Sequence, residues 1–237
     1  MLLNLLNGTL DLCRGILRLH DPADYCTKLC PVEYDPQAEC PTWDRFINEV
    51  FQGDRELIEY VRRAAGYALT GDVREQALFV CVGAGANGKS TLLNLLLELL
   101  GPDYAMKAPT DLLVARTQRS HPTELADLFG KRFVAAIETE GDQRLAESLV
   151  KELTGGDRIR ARRMRQDFWE FSPTHKIWLA TNHLPAIRGT DEGIWRREKV
   201  IPFRATFSSA RRDPGLFEKL RGELPGVLRW CLRGCSD

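Results

Sequence analysis

The feature that most constrains the fold is the segment Gly-Ala-Gly-Ala-Asn-Gly-Lys-Ser at positions 83–90. It matches the pattern G-x-x-x-x-G-K-[ST], in which glycines let successive backbone N–H groups turn towards phosphate oxygens. The apolar run 77–82 precedes it, and the leucine-rich segment 89–100 follows it. A strand, a glycine loop and a helix in this order predict a phosphate site, because a helix N-terminus favours anions.

The loop and the first helical turn supply the predicted phosphate-binding residues. Lys89 is expected to contact the β- and γ-phosphates as a point charge, and the Ser90 hydroxyl is expected to ligate Mg²⁺. The full set is Gly83, Ala84, Gly85, Ala86, Asn87, Gly88, Lys89, Ser90 and Thr91.

Two further apolar runs, 132–137 and 176–181, are predicted to be buried strands that end in polar residues. Glu138 and Glu140 follow the first run; we assign Glu138 to the metal and Glu140 to the base, although the two roles could be exchanged. Asn182 follows the second run and is expected to hydrogen-bond the γ-phosphate or the attacking water. Ligands of open α/β sheets bind at the carboxyl ends of the strands, where these residues lie.

Apolar strands alternating with helices predict an α/β fold with a parallel sheet covered on both faces. We expect an N-terminal β-hairpin and helical segment at 1–72, followed by a P-loop ATPase core at 73–237 that is truncated at its C-terminal end. The supporting patterns are hairpin strands at 9–13 and 16–20, apolar helical stripes at 43–51 and 57–68, a fourth buried strand at 199–203 and a C-terminal helical segment at 214–231.

Five arginines fall within eight residues of a chain whose net charge is zero. They are expected to lie on a β-hairpin whose tip is near 164–167, where they would bind phosphates of single-stranded DNA. A solvated basic face is the alternative, and we expect the following Phe168 and Trp169 to belong to the core. The arginines are Arg158, Arg160, Arg162, Arg163 and Arg165.

Trp195-Arg196-Arg197 follows Asn182 along the chain. An arginine that reaches a γ-phosphate stabilises the charge of phosphoryl transfer, and between subunits it would act in trans. Arg196 is slightly preferred over Arg197, and ion pairs with Asp191 or Glu198 are the alternative.

The order of these motifs resembles superfamily 3 helicases, and more narrowly the phage/plasmid primase–helicase family and its poxvirus relatives. The resemblance rests on Gly-Ala-Asn-Gly-Lys-Ser, Ile-Glu-Thr-Glu, Leu-Thr-Gly-Gly-Asp, Trp-Leu-Ala-Thr-Asn-His-Leu-Pro and Ile-Trp-Arg-Arg. It implies an AAA+-type core that binds ATP and Mg²⁺, forms a homo-oligomeric, hexameric ring and translocates on single-stranded or forked DNA. It further implies that Glu138 is the second acidic motif, Asn182 the sensor, and Arg196 or Arg197 the finger into the neighbouring subunit.

Such proteins often carry a primase module before this region, so we expect a helicase core that works with a primase module or a replication-initiation protein. The sequence contains no run long and apolar enough to span a membrane and no recognisable secretory signal. The resemblance implies a protein of the bacterial host cytoplasm, encoded by a phage, prophage or plasmid. A monomeric P-loop kinase or NTPase acting on a small molecule and a non-catalytic DNA-binding assembly factor are the alternative functions.

Overall fold

The computed structural model describes residues 1–109, 112–115, 122–137, 144–187 and 192–236. The chain begins with three antiparallel strands, β1 (Leu2–Leu5), β2 (Gly8–Asp11) and β3 (Ile16–Arg18), which pair in that order. The predicted hairpin is therefore confirmed as β2–β3. Strand β1 was not predicted, although its side chains alternate between half-buried and buried positions as a one-sided sheet requires.

Two helices follow, α1 (Pro41–Val50) and α2 (Arg55–Leu69), and they confirm both predicted apolar stripes. The Asp54 side chain caps α2 by accepting a hydrogen bond from the backbone N–H of Leu57 at 3.1 Å. The carboxylate that caps α1 comes from a distant part of the chain. Glu223 accepts hydrogen bonds from the backbone N–H groups of Thr42 at 3.0 Å and Trp43 at 2.9 Å.

The remaining strands are β4 (Leu78–Val82), β5 (Ala105–Lys107), β6 (Phe133–Ile137), β7 (Ile159–Ala161), β8 (Trp169–Phe171), β9 (Lys176–Thr181) and β10 (Glu198–Pro202). Five of them form one sheet in the order β10-β4-β9-β6-β5, and every neighbouring pair is parallel. The predicted parallel sheet is confirmed. Strand β5 was not predicted, because its three residues are too few to show a pattern.

The remaining helices are α3 (Lys89–Tyr104), α4 (Pro122–Ala126), α5 (Glu147–Thr154), α6 (Glu192–Trp195), α7 (Leu216–Gly222) and α8 (Leu224–Ser236). Helix α3 breaks at Gly101, whose φ of 64° lies outside the helical region, so the predicted end of the leucine-rich helix is the site of a kink. None of the helices in the described ranges is both long enough and apolar enough to cross a membrane.

Successive side chains of the central strands enter two different apolar clusters, as strands covered on both faces require. Phe79 and Cys81 of β4 pack with α1, α2, α3 and α8, whereas Leu78 and Val80 pack with the side of the sheet that carries α5. The predicted coverage of both faces is confirmed. The first cluster also contains Leu3 and other side chains of the N-terminal sheet.

Two cations at the amino ends of β6 and β9, the half-buried Arg132 and the buried Lys176, fix the preceding segments to the sheet. The Arg132 guanidinium donates hydrogen bonds to the backbone carbonyls of Leu69 and Leu2, each at 2.6 Å. The Lys176 ammonium donates to the carbonyls of Thr70 and, at 3.3 Å, Asp72. Carbonyls at a helix C-terminus favour cations, so these contacts offset part of the desolvation that lowers the pKa of both groups. The domain boundary at residue 72 stays a prediction.

Candidate functional site

The phosphate loop leaves the carboxyl end of β4 and enters α3 at Gly88. Gly85 and Gly88 have φ values of 92° and 89°, a backbone region that residues with a Cβ rarely adopt. Gly83 is needed for a different reason, because a Cβ there would lie 2.3 Å from the Phe203 carbonyl oxygen. These glycines thus allow a tight loop packed against the end of β10.

Lys89, at the first position of α3, is only 7 % exposed. Its ammonium donates hydrogen bonds to the Gly83 carbonyl and, at 3.2 Å, to the Asn87 side-chain oxygen. The Asn87 amide nitrogen in turn donates to the Phe203 carbonyl at 3.3 Å. Burial lowers the pKa of Lys89. Because both acceptors are uncharged, a phosphate at the loop would favour the charged ammonium and raise that pKa again.

A cavity of about 1060 Å³ opens beside the loop at the carboxyl edge of the sheet. Residues 85–91 form one wall of this cavity, so seven of the nine predicted phosphate-binding residues line it. Ile137 at the end of β6 and Asn182 just beyond β9 line it as well. The structure therefore brings the phosphate loop and the predicted sensor together. Glu138 and Glu140 lie outside the described residues.

The Asn182 position is set by a short turn after β9. The buried Thr181 hydroxyl donates a hydrogen bond to the His183 carbonyl at 2.6 Å, which closes the turn around Asn182. Asn182 itself is exposed to the cavity. An exposed amide at this edge is free of packing constraints and can meet a ligand directly.

The opposite walls of the cavity come from residues that sequence reasoning did not single out as functional. They are Arg45, Phe46 and Glu49 of α1, together with Phe207, Ser209, Arg212, Asp213, Pro214, Leu216 and Phe217 near the C-terminal helices. The backbone N–H of Phe207 donates to the Ala86 carbonyl at 2.8 Å, which ties this second group to the phosphate loop. Phe46 belongs to the predicted apolar stripe at 43–51, and Leu216 and Phe217 belong to the predicted helical segment at 214–231, but neither pattern indicates a ligand site.

Arg196 and Arg197 lie at the opposite edge of the sheet from the phosphate loop. They precede β10, whose first residue pairs with Leu78 and whose last pairs with Val82, the residue before the loop. Four residue steps along a parallel strand span about 13 Å. The backbone of both arginines therefore lies at least that far from the phosphate loop of the same chain.

The two arginines differ in their surroundings. The Arg196 guanidinium donates to the Gln76 side-chain oxygen at 2.5 Å, and the residue is exposed. Arg197 is 7 % exposed, and its guanidinium donates to the Thr154 hydroxyl at 3.1 Å and the Gly193 carbonyl at 2.5 Å. The proposed alternative partner Asp191 lies outside the described residues.

The predicted arginine hairpin is confirmed, because β7 and β8 pair antiparallel with Arg160 opposite Glu170. All five arginines are exposed. Trp169 and Phe171 pack edge-on against the Phe129 ring at 4.8 Å and 5.5 Å. Phe168 instead remains 45 % exposed, so its predicted place in the core is wrong.

Phe168 lies under two of the hairpin arginines. The guanidinium carbons of Arg160 and Arg162 are 4.5 Å and 4.8 Å from its ring centroid. The exposed ring is thus held by cation–π contacts rather than by a packed core. Arginines and an exposed ring on one hairpin are the groups that single-stranded nucleic acid binds.

Two protein families match parts of the chain. Residues 1–52 match the family described as D5 N terminal like, and residues 81–197 match a family of unknown function, DUF5906. The second match includes the phosphate loop, the arginine hairpin and both arginines before β10.

Viral proteins match most of the chain. A candidate helicase of Acanthamoeba polyphaga mimivirus is 36 % identical over 210 residues, which is 85 % of this chain and 21 % of that protein. A candidate helicase of Invertebrate iridescent virus 6 is 29 % identical over 92 % of this chain and 24 % of its own length. A candidate primase of African swine fever virus is 25 % identical over 90 % of this chain and 23 % of its own length. The chain spans about a fifth to a quarter of these relatives.

Solved structures share the fold. An apo structure of the NrS-1 C-terminal region superposes with a TM-score of 0.65 at 15 % identity, covering 86 % of this chain and 50 % of that one. A second structure of the same region gives a TM-score of 0.63 at 14 % identity, covering 84 % and 47 %.

The sheet and the loop together define the class: an α/β fold with a five-stranded parallel sheet covered by helices and a G-x-x-x-x-G-K-S loop at the carboxyl end of β4. Within that class, the viral matches confirm the resemblance to superfamily 3 primase–helicases that the motif order predicts. The chain is a relative of these viral helicase and primase proteins.

Proposed function

We propose that this chain is the motor core of an ATP-dependent DNA helicase or translocase from a phage- or plasmid-type replication system. It would hydrolyse ATP at the subunit interfaces of a hexameric ring and move on single-stranded DNA. One observation carries the proposal: the phosphate loop and Asn182 share a cavity, while Arg196 lies at the other edge of the sheet. Arg196, as the finger, would therefore act in the cavity of a neighbouring subunit.

The cavity residues fit ATP. A volume of about 1060 Å³ accommodates a nucleoside triphosphate, and Gly85 has open space on the side where a Cβ would project. Lys89 would exchange its two neutral oxygen partners for phosphate oxygens, and Ser90 would hold Mg²⁺ at the start of α3. When bound, Mg²⁺ neutralises charge on the β- and γ-phosphates.

The acidic residues of the proposed reaction follow β6, whose last residue Ile137 lines the cavity. Glu138 would hold Mg²⁺ and Glu140 would orient and deprotonate the attacking water. Asn182, at the end of the adjacent strand β9, would hydrogen-bond the γ-phosphate or the attacking water. The parallel register supports this grouping, because the carboxyl ends of adjacent strands meet at one edge.

Arg196 is the better candidate for the finger in trans. Its guanidinium is exposed and bonded to one neutral amide, so it can leave that partner at low cost. Arg197 is buried and bonded within the subunit, where it supports the same segment. A finger in the neighbour's site would stabilise the charge of phosphoryl transfer.

The hairpin would engage DNA in the centre of the ring. Arg158, Arg160, Arg162, Arg163 and Arg165 would contact phosphates of one strand, with Phe168 available to stack on a base. Because the viral relatives are about four times as long as this chain, a primase module or a replication-initiation protein is the proposed partner. The proposed location is the cytoplasm of a bacterial host.

ATP hydrolysis by the purified chain, with and without a single-stranded oligonucleotide, tests the proposal. We expect the oligonucleotide to stimulate turnover, and Lys89→Ala to abolish it while leaving oligonucleotide binding intact. A charge-matched control is Lys131→Ala, since Lys131 lies just before the amino end of β6, at the opposite edge of the sheet from the loop, and donates to the Pro102 carbonyl. An ATP hydrolysis rate that the oligonucleotide does not change, or that Lys89→Ala does not lower, would contradict the proposal.

A further inference from the structure

Gln76 lies in a strained backbone conformation just before β4. Its φ is 50°, a left-handed value that glycine adopts freely and glutamine rarely does. The residue closes a turn in which its N–H donates to the Val73 carbonyl at 3.0 Å. Strain of this kind persists where the surrounding structure fixes it, and it is frequent at functional sites.

The Gln76 side chain bridges two segments that the proposed function uses. Its amide oxygen accepts the hydrogen bond from Arg196 at 2.5 Å, and its amide nitrogen donates to the Gly155 carbonyl at 2.8 Å. Gly155 follows α5 and precedes β7, the first strand of the arginine hairpin. One side chain thus joins the candidate finger to the base of the DNA hairpin.

A second contact runs parallel to this bridge. Arg197 donates to the hydroxyl of Thr154, the residue before Gly155, at 3.1 Å. The Thr154 hydroxyl also donates to the Val150 carbonyl at 2.6 Å, within α5. Consecutive arginines therefore connect to consecutive residues at the base of the hairpin.

We propose that Gln76 is a positioning residue that couples the arginine finger Arg196 to the arginine hairpin. The inference rests on the proposed function. When Arg196 binds a nucleotide in the neighbouring subunit, a shift of its guanidinium moves the Gln76 amide, and with it the Gly155 carbonyl. Single-stranded DNA on the hairpin and nucleotide at the interface then change each other's affinity by the same factor.

Two variants distinguish the role of the Gln76 side-chain hydrogen bonds from the role of its backbone in the turn. Gln76→Met keeps the length of the side chain and removes both hydrogen bonds. Gln76→Gly also removes them but suits the left-handed backbone, so its melting temperature is expected to stay within about 3 °C of the unmodified chain. Glu75→Gln, an exposed change in the same turn, is the matched control.

The readout is the affinity for a fluorescent single-stranded oligonucleotide, with and without a non-hydrolysable ATP analogue. We expect the analogue to change that affinity at least about fivefold in the unmodified chain and in Glu75→Gln. The change should fall below twofold in both Gln76 variants. Affinity without the analogue should stay the same in all four proteins, because the five hairpin arginines are intact.

The outcomes distinguish the two proposals. Coupling that survives in both Gln76 variants overturns the role of Gln76 and leaves the proposed function standing. An unmodified chain that shows neither coupling nor DNA-stimulated hydrolysis overturns both. Loss of coupling in the stably folded Gln76→Gly variant supports the inference. If Gln76 served only to form the turn, glycine would replace it without loss of coupling.

Discussion

Replacing Gly88 by alanine should destabilise the protein far more than the same change at Gly85. Both glycines have φ near 90°, so alanine meets a similar backbone penalty of about 1–2 kcal/mol at either position. A Cβ at Gly85 has no neighbour within 4 Å, whereas one at Gly88 would lie 2.6 Å from Val50 Cγ2 and 3.2 Å from Phe46 Cε2. Overpacking of this kind costs a further 1–3 kcal/mol or so.

Urea denaturation without nucleotide measures the difference. We expect Gly85→Ala to lower the free energy of unfolding by about 1–2 kcal/mol, and Gly88→Ala to lower it by about 2–5 kcal/mol. In the Val50→Ala background the extra cost at Gly88 should shrink, because the colliding methyl group is gone; the two changes should couple by at least about 1 kcal/mol. Equal costs at the two glycines would refute the packing of α1 against the phosphate loop.

Three further predictions concern charge. Burial lowers the pKa of His175 to about 4, so the folded chain keeps the ring neutral while the unfolded chain binds a proton below about pH 6.5. Stability should therefore fall by about 3 kcal/mol between pH 7 and pH 4, and His175→Leu should remove most of that fall in urea titrations at several pH values. Glu223→Ala removes the carboxylate that caps α1 and should lower the free energy of unfolding by about 1–2 kcal/mol. An unchanged free energy of unfolding would contradict a stabilising role of this cap. Arg163→Ala should flatten the log–log salt dependence of single-stranded DNA binding by about 0.7, whereas Arg55→Ala on α2 should leave the slope unchanged; equal slopes would remove Arg163 from the DNA interface.

The phosphate loop and the strands that flank it could be predicted because each has a local pattern. The motif at 83–90 fixes a strand before it and a helix after it, and continuous apolar runs mark β6, β9 and β10 within about a residue. Strand β5 has only three residues, and its pairing with β6 is decided by tertiary contacts that no short pattern records.

The cavity walls could not be predicted for the same reason. Arg45 and Glu49 are ordinary exposed positions beside an apolar helical stripe, and Phe207 and Phe217 are ordinary apolar residues near the C-terminal helices. Only the folded chain places them opposite the phosphate loop. The positive φ of Gln76 is likewise invisible in the sequence, because no turn motif requires glutamine there. Phe168 was predicted to be buried because it is aromatic, but two arginine side chains hold it at the surface.

Hydrolysis by mixed subunits tests the central claim most directly. Lys89→Ala removes the phosphate contact and Arg196→Ala removes the finger, so each protein alone should be inactive. In an equimolar mixture, about a quarter of the interfaces of a head-to-tail ring should pair an intact Lys89 with an intact Arg196 from its neighbour. We predict that mixing restores DNA-stimulated ATP hydrolysis to about that fraction. A mixture as inactive as its components would contradict catalysis shared between subunits.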